Sequence, residues 1–597
     1  MKRILTILLV LALALPLFAA GGASQGPGTT GTAGERVVTQ VTPRPLPAAA
    51  APQYDDGDRS WHPQPATSYS TNPRYPQQPA ISNRGGYPLV QNTVTMRLAR
   101  THNLNVTDYY DNDVVRFLEA LTNVRIEWDL LPALNPGERV NLMFASGDVL
   151  PDAFYGYGFT SADLITFGEA GLLIPLSEIV ADNSYYYQRL LDDDPNIIPA
   201  LTMADGRIYS MGSQEIQLAN QLAWRFWINQ LFLDNLGMAT PTTTEEYYRY
   251  LVAVRDRDPN RNGRNDEIPL IAGIDGWNPN IDGFLMQSFI ANDRGGSRSR
   301  MYRTETGQIE VSYNKPEWRQ GLEYLRRLMQ ENLMTTEIFT LTRAGMMALV
   351  EHPDGPMVGS IPMGGPMDFA DTAGERRTHF RILAPLRGPN GRQHAAYSEF
   401  AGVGISFFAV TKDSRMPELA VKWADYLYTP DYATRSRYGV LGRDWIIPPP
   451  GTVAVDGGQA RFEDILRWGD PQNAHLSGGG GRGFFASYHR AVGPDPFELE
   501  AVLWNARQVY YPYRWQMNVP GQLPFTVDEA REFNNLNTQL RDHVEQSMAQ
   551  FISGVLPLND ANWNAYLQTI DRLGVAQLLR ITQAAFDRSW AYTLGYR

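Results

Sequence analysis

The sequence predicts an α/β protein built on a mainly parallel sheet, with a C-terminal part that is almost wholly helical. Three observations predict it. Strand-like and helix-like runs alternate from Val94 to Tyr157, the βαβαβ order that forces a parallel sheet with right-handed crossovers. The chain has 597 residues, 43 % of them hydrophobic, enough for two or three domains with their own cores. From Val527 onward the apolar residues fall at helical spacing to the end.

The elements follow in order. Lys2 and Arg3 precede an apolar stretch, Ile4 to Leu17, and then the small residues Ala19 to Gly22, the pattern of a secretory signal peptide over residues 1–20. An uncleaved leader is the alternative, although the apolar run is short for a membrane span, which needs about 20 residues. Residues 21–92 are rich in Pro, Gly, Ser, Thr and Gln, and predict a disordered spacer. VTMRLA from Val94 alternates as a strand, and Asp113–Val124 places Val114, Phe117, Leu118 and Leu121 on one helical face. RIEW is the second strand. Pro136 stands at the first position of the next helix, and PDAFYGYG forms a third strand that runs into an aromatic loop. Glu317–Met334 and Met416–Thr429 are further amphipathic helices, the second with Trp423 on its core side. The glycine run 478–481 lacks the Lys-Ser/Thr of a phosphate loop and reads as a flexible segment or lid edge.

Composition excludes several functions. A net charge of −12 disfavours nucleic acid as a partner, since phosphate binding needs a basic face. There is no cysteine, so disulfides, thiolate chemistry and a lipid-modified cysteine are all excluded. The eight histidines stand singly, without the HExxH spacing of a zinc protease. Of the 52 basic residues only Lys2, Lys315, Lys412 and Lys422 are lysine. Positive charge is therefore carried by arginine, whose planar fork suits carboxylates and hydroxyls.

One loop concentrates oxygen ligands. DRDPNRNGRNDEIPL, Asp256 to Leu270, holds four acids, three asparagines and a glycine. Counting from Asp258, Asn260 and Asn262 fall at positions three and five and Gly263 at six, where an EF-hand-type loop turns sharply. The Arg264 carbonyl falls at seven and Asp266 at nine. This spacing predicts a structural calcium site. Position twelve is Pro269 instead of the usual glutamate, so Glu267 at ten would close the sphere. A solvated Asn/Gly turn is the alternative.

With these residues in place, the chain resembles the extracellular solute-binding proteins of ABC sugar importers. The likeness lies in NLMFASGDVLPDAFYGYGFTSADLITFGEAGLLIPLSEIV, DGRIYSM, WINQLFLDNLGM, DPNRNGRNDEIPL and TKDSRMPELAVKWADYLYTPDY, and runs from Val94 to the C-terminus. It is similar to the large oligosaccharide- and alginate-binding members and the LplA-like group. The resemblance implies a two-lobed periplasmic-binding-protein fold, each lobe a mainly parallel sheet flanked by helices and hinged to the other. Lobe one would hold 93–208 and about 400–445; lobe two 209–399 and about 446–597. It implies the same calcium ligands that the spacing gives, an oligosaccharide ligand, an ABC permease as partner, and a monomer free in the periplasm or outside the cell unless its leader is retained.

Loop aromatics and polar residues beyond the strands supply the ligand-contact candidates: Tyr155, Tyr157, Gln221, Trp224, Trp277, Tyr397, Glu399 and Trp445. Trp277 and Trp445 stand in glycine-containing loops and are expected to clamp a sugar from opposite sides. Each of these residues has core packing as its alternative. The alternative for the whole chain is a secreted glycoside hydrolase or polysaccharide lyase, with acids such as Glu399 and Asp444 in the catalytic roles.

Overall fold

The computed structural model describes residues 61–194, 197–214, 221–294, 300–371, 374–397, 402–466, 471–476, 478, 480–482, 487–493, 495–516 and 518–594. The expected signal peptide and the spacer up to residue 60 lie outside them.

Lobe one is built as its sequence dictates. Strand β1 (Val94–Thr101) buries Met96, Leu98 and Ala99 and pairs in parallel with β2 (Val124–Leu131) along its full length. Between them, helix α1 (Asp113–Thr122) is capped by Asn112, whose side chain accepts from Val114 N, and ends on Asn123 at φ 59°. Its buried face contains the expected Val114, Phe117, Leu118 and Leu121. Helix α2 (Pro136–Ala145) starts on its proline, and β3 (Ala153–Tyr155) pairs in parallel with β1. The chain leaves through β4 (Met211–Gln214).

Lobe two is organised around β5 (Phe226–Asn229), followed by helix α3 (Thr244–Asp256), the short helix α4 (Ile281–Leu285) and the hairpin β6 (Met301–Arg303) and β7 (Ile309–Val311). Strands β8 (Ser360–Pro362) and β9 (Phe380–Ile382) flank β5, both antiparallel to it. Here the structure departs from a mainly parallel sheet in each lobe: the description fits lobe one only. The chain then re-enters lobe one through β10 (Val403–Val410), which lies between β3 and β4 and antiparallel to both, giving the order β2-β1-β3-β10-β4. Helix α5 (Pro417–Asp425) follows, with Trp423 1 % exposed as expected of a core residue. The C-terminal part is helical, including α6 (Val527–Ser553), opened by a Thr526–Glu529 capping box, and α7 (Val575–Thr593), which packs on β7.

Residues 61–92 correct the expected spacer. They form a strap in which Gln64–Pro65 pairs with Gly86–Tyr87 and Tyr69–Ser70 with Ile81–Ser82, burying Tyr87, Leu89 and Val90. Polar side chains pin it down. Gln78 Oε1 accepts from the backbone N–H of Glu418 and Leu419 at 3.0 and 3.1 Å, and Gln78 Nε2 donates to Glu418 Oε2 at 2.9 Å. Gln78 thereby caps α5 from outside, which that helix needs because its own N-cap residue supplies no side-chain bond. Asn72 Nδ2 donates to Glu418 Oε1 at 2.6 Å, and Lys422 Nζ to Ser82 O at 2.7 Å. Burial pushes Lys422 down to about 8.

The abundant arginines lie flat on aromatic rings. Arg327 sits 3.5 Å from the Tyr248 ring centre, Arg189 3.6 Å from Trp61, Arg435 3.7 Å from Phe117 and Arg514 3.9 Å from Tyr511.

Candidate ligand surface and cation loop

The acidic loop leaves α3, whose start is fixed by a Thr243–Glu246 capping box, and returns at Ile268, which bridges Val358. It is wound by side chain to backbone bonds. Asp258 Oδ1 accepts from Asn262 N at 3.0 Å and Oδ2 from Gly263 N at 2.7 Å; Asn260 Oδ1 also accepts from Asn262 N, at 2.9 Å, and Asn262 Oδ1 from Arg264 N at 2.8 Å. Gly263 supplies the turn at φ 81°, a left-handed conformation that side chains resist. Asp266 accepts from Asn262 Nδ2 at 3.0 Å, and Glu267 Oε1 from Asn260 N at 3.0 Å. The Arg264 side chain reaches Asp354 at 3.1 Å and also pairs with Asp266 Oδ2 at 3.3 Å.

One atom of this loop is unsatisfied: Glu267 Oε2 is buried with no hydrogen-bond partner. Burial, aided by the charges of Asp258 and Asp266, pushes the Glu267 carboxyl up. Three carboxylates and two asparagine side chains on one turn, with one buried oxygen uncompensated, form an all-oxygen donor set that fits a hard divalent cation. Among the described residues no group of three or more His, Cys, Asp or Glu side chains is already gathered at metal-binding spacing.

The ligand candidates separate into a surface group and a core group. Trp224 lies flat on Gly283 in α4, where any Cβ would run into its ring. Trp277 lies in the same way on Gly364 and is 3.4 Å from the Cβ position at Gly365. Arg225 joins the two: it follows Trp224, donates to Gly364 O, and holds its guanidinium 5.1 Å from the Trp277 ring centre. The Trp277 backbone N–H donates to Asp368 Oδ2 at 3.3 Å. Both rings are only partly buried, and Gln221 beside them has a buried Oε1 without a partner. Glycine beneath an indole is a backbone platform that leaves the opposite ring face for another group. The sequence singled out the tryptophans; Arg225 and the glycines were missed, although WRFW and MGGP carry them in plain view.

Tyr155 and Trp445 belong to the core. Tyr155 is 1 % exposed, bonded through its hydroxyl to that of Tyr432, with Arg100 over its ring at 4.4 Å. Trp445 is 0 % exposed, donates from Nε1 to Gly439 O at 3.2 Å, and packs on Phe462. Neither ring offers a face, so the expected clamp between Trp277 and Trp445 does not form. Tyr157 is partly buried among Phe154 and Phe159, 4.7 Å from the latter ring, against the start of α2. Tyr397 lines a small cavity with Trp515. Glu399 lies outside the described residues. Asp444, an acid of the enzyme reading, is tied up by Arg443 at 2.6 Å and by Val440 N at 2.8 Å.

The chain is similar to several known proteins. A curated relative, the fructooligosaccharide ABC transporter substrate-binding protein FusA of Streptococcus pneumoniae serotype 4, is 24 % identical over 519 residues, 84 % of this chain and 91 % of FusA. The polygalacturonan/rhamnogalacturonan-binding protein YtcQ of Bacillus subtilis is 22 % identical over 335 residues, 55 % of this chain and 62 % of YtcQ. A solved structure of an EF-hand mutant of the S. pneumoniae FusA in complex with fructo-nystose shares the fold, with a TM-score of 0.69 at 22 % identity over 84 % of this chain and all of that one. The profile of the bacterial extracellular solute-binding proteins matches residues 104–434, more than half of the sequence, and the chain belongs to that family.

Proposed function

We propose that this solute-binding protein is the extracytoplasmic capture subunit of an ABC importer, that its ligand is an oligosaccharide handed to the membrane permease, and that it works as an exported monomer. The observation that carries the reading is the pair of partly buried, glycine-seated tryptophans, Trp224 and Trp277. Pyranose and furanose rings present C–H faces that lie on indole, while their hydroxyls need forked polar partners. The surface contacts proposed are Gln221, Trp224 and Trp277, with Tyr157 and Tyr397 at the margins, while the buried Arg225 braces Trp277 from within. FusA, similar over most of its length, is named for a fructooligosaccharide.

The loop is proposed to hold a structural calcium ion through Asp258, Asn260, Asn262, the Arg264 main chain, Asp266 and Glu267. The ion would supply the positive charge that the clustered carboxylates and the unpartnered Glu267 oxygen lack. That a FusA structure is described as an EF-hand mutant supports a site of this kind in a similar protein.

Isothermal calorimetry of the full chain with kestose, maltotriose and trigalacturonate tests the binding. A stoichiometric complex without new products is expected, and Trp277→Ala should weaken it by about 30-fold, on the order of 2 kcal/mol. Shortened saccharides after incubation would support the hydrolase instead, and unchanged affinity in Trp277→Ala and Trp224→Ala would move the site elsewhere.

A further inference from the structure

A second set of buried polar atoms lacks partners, and the residues that carry them line one void. Trp515 Nε1, Asn292 Oδ1 and Asn518 Oδ1 make no hydrogen bond. Their residues line a cavity of about 10 Å³ together with Asp293, Tyr302 and Tyr397. Asn292 and Asn518 are 1 % and 4 % exposed. Each unmet group of this kind costs about 1–3 kcal/mol, so a stable fold seldom keeps three beside one another without an occupant.

The orientation of both asparagines is set from behind. Asn292 Nδ2 donates to Asp282 O at 2.7 Å, and Asn518 Nδ2 donates to Asp293 Oδ2 at 3.0 Å. With the amide nitrogens committed, the two carbonyl oxygens are the groups left over. Arg392 lies 4.5 Å over the Trp515 ring and holds it in place; its Nη2 is also unpartnered, but it is not part of the lining. The Trp515 donor and one of the two carbonyl acceptors suit a hydroxyl group, which accepts one bond and donates one. The space admits a group about the size of one water. A carboxylate would meet two acceptor oxygens and Asp293, so the lining disfavours an acidic sugar.

The cavity also stands where the chain passes from lobe two to lobe one. Ala395 N donates to Tyr513 O at 2.7 Å and Trp515 N to Ala395 O at 3.1 Å, so the segment that carries Tyr397 runs beside the Trp515 segment. From these features we infer that the Trp515–Asn292–Asn518 cavity is a hydroxyl-reading subsite that receives one hydroxyl group of a neutral sugar. The inference rests on the oligosaccharide reading above and narrows it to uncharged saccharides.

Trp515→Phe removes the donor and keeps an aromatic ring under Arg392. Calorimetry on the full chain, wild type and variant, with kestose, maltotriose and trigalacturonate, reads the subsite. A neutral trisaccharide should bind the wild type at least about tenfold more tightly than trigalacturonate, and the variant should lose about fivefold on that neutral sugar. A crystal structure of the wild-type complex reads the same point even if the variant folds poorly: a ligand oxygen should stand within hydrogen-bond distance of Trp515 Nε1. A water there in the complex, equal affinities for wild type and variant, or preference for trigalacturonate would overturn the subsite while leaving oligosaccharide capture intact. Failure of all three sugars to bind would overturn both.

Discussion

Gln78→Ala tests whether the N-terminal strap is part of the folded unit. Gln78 is 4 % exposed and makes three bonds to the first turn of α5. Pro417 has no N–H, so Glu418 and Leu419 carry donors of that turn which no side chain of the helix's own N-cap satisfies. Alanine would strip both N–H groups of their acceptor, a cap loss of about 1 kcal/mol. It would also remove a donor from the nearly buried Glu418 carboxylate, a charge-assisted bond of about 1.5–3 kcal/mol. Asn72 still serves the other Glu418 oxygen, so the expected total is about 3 kcal/mol. Urea unfolding of the full chain measures it as a lowered midpoint at unchanged slope. Trypsin adds a local readout, because Arg74 pairs with Glu178 and Arg84 Nε donates to Ser184 O while the strap is docked. Wild type should resist cleavage at both arginines and the variant should be cut there. A change below roughly 0.5 kcal/mol, with both arginines cut as readily in wild type, would refute the docked strap.

Three further outcomes are expected. Calcium at about 100-fold over its dissociation constant should add about 2.7 kcal/mol, a rise of only about 2–3 °C in melting temperature for roughly 500 ordered residues; Asp258→Ala should abolish the response to chelator. Asp425 is 2 % exposed, and burial raises its carboxyl to about 6 despite three bonds from the backbone of Tyr185, Tyr186 and Tyr187. A raised folded value means that its contribution is present below the unfolded value near 3.8 and lost as pH rises through about 6, on the order of 3 kcal/mol; urea midpoints at pH 4 and 7 should show this in wild type and not in Asp425→Asn. Trp445→Ala should cost about 3–5 kcal/mol of stability in thermal unfolding, through the cavity left against Phe462, the reverse of the affinity loss expected for Trp277→Ala.

What was legible in the sequence was local. The face of α1, the proline start of α2 and the Asx-turn winding of the 258–267 loop depend on residues within a turn or two of one another, and spacing alone reports them. The rest depended on distant chain. The strap reads as disordered by composition, because its few buried apolar residues, Tyr87, Leu89 and Val90, follow no period and Gln78, Asn72 and a buried cation on α5 do the rest of the holding. Trp445, in a glycine-rich loop, looked exposed; Phe462 covers it from another loop. Lobe two hid its strand direction because β8 and β9 are only three residues long, too short for periodicity to register.

The scarcity of lysine has an experimental corollary. Beyond Lys2, a reagent that acylates amines has three lysine side chains to find: Lys315 is paired with Glu310 at 2.7 Å, Lys412 with Asp413 at 2.9 Å, and Lys422 is buried under the strap. Amine-directed crosslinkers and dyes will therefore concentrate on Lys412, 45 % exposed, just past the end of β10, and sample almost nothing of the remaining surface. A search for the permease contact by proximity labelling needs carboxyl- or guanidinium-directed chemistry. Conversely, Lys412, the more exposed of the two surface lysines, is a ready point for immobilisation, and acylation of Lys422 would report undocking of the strap.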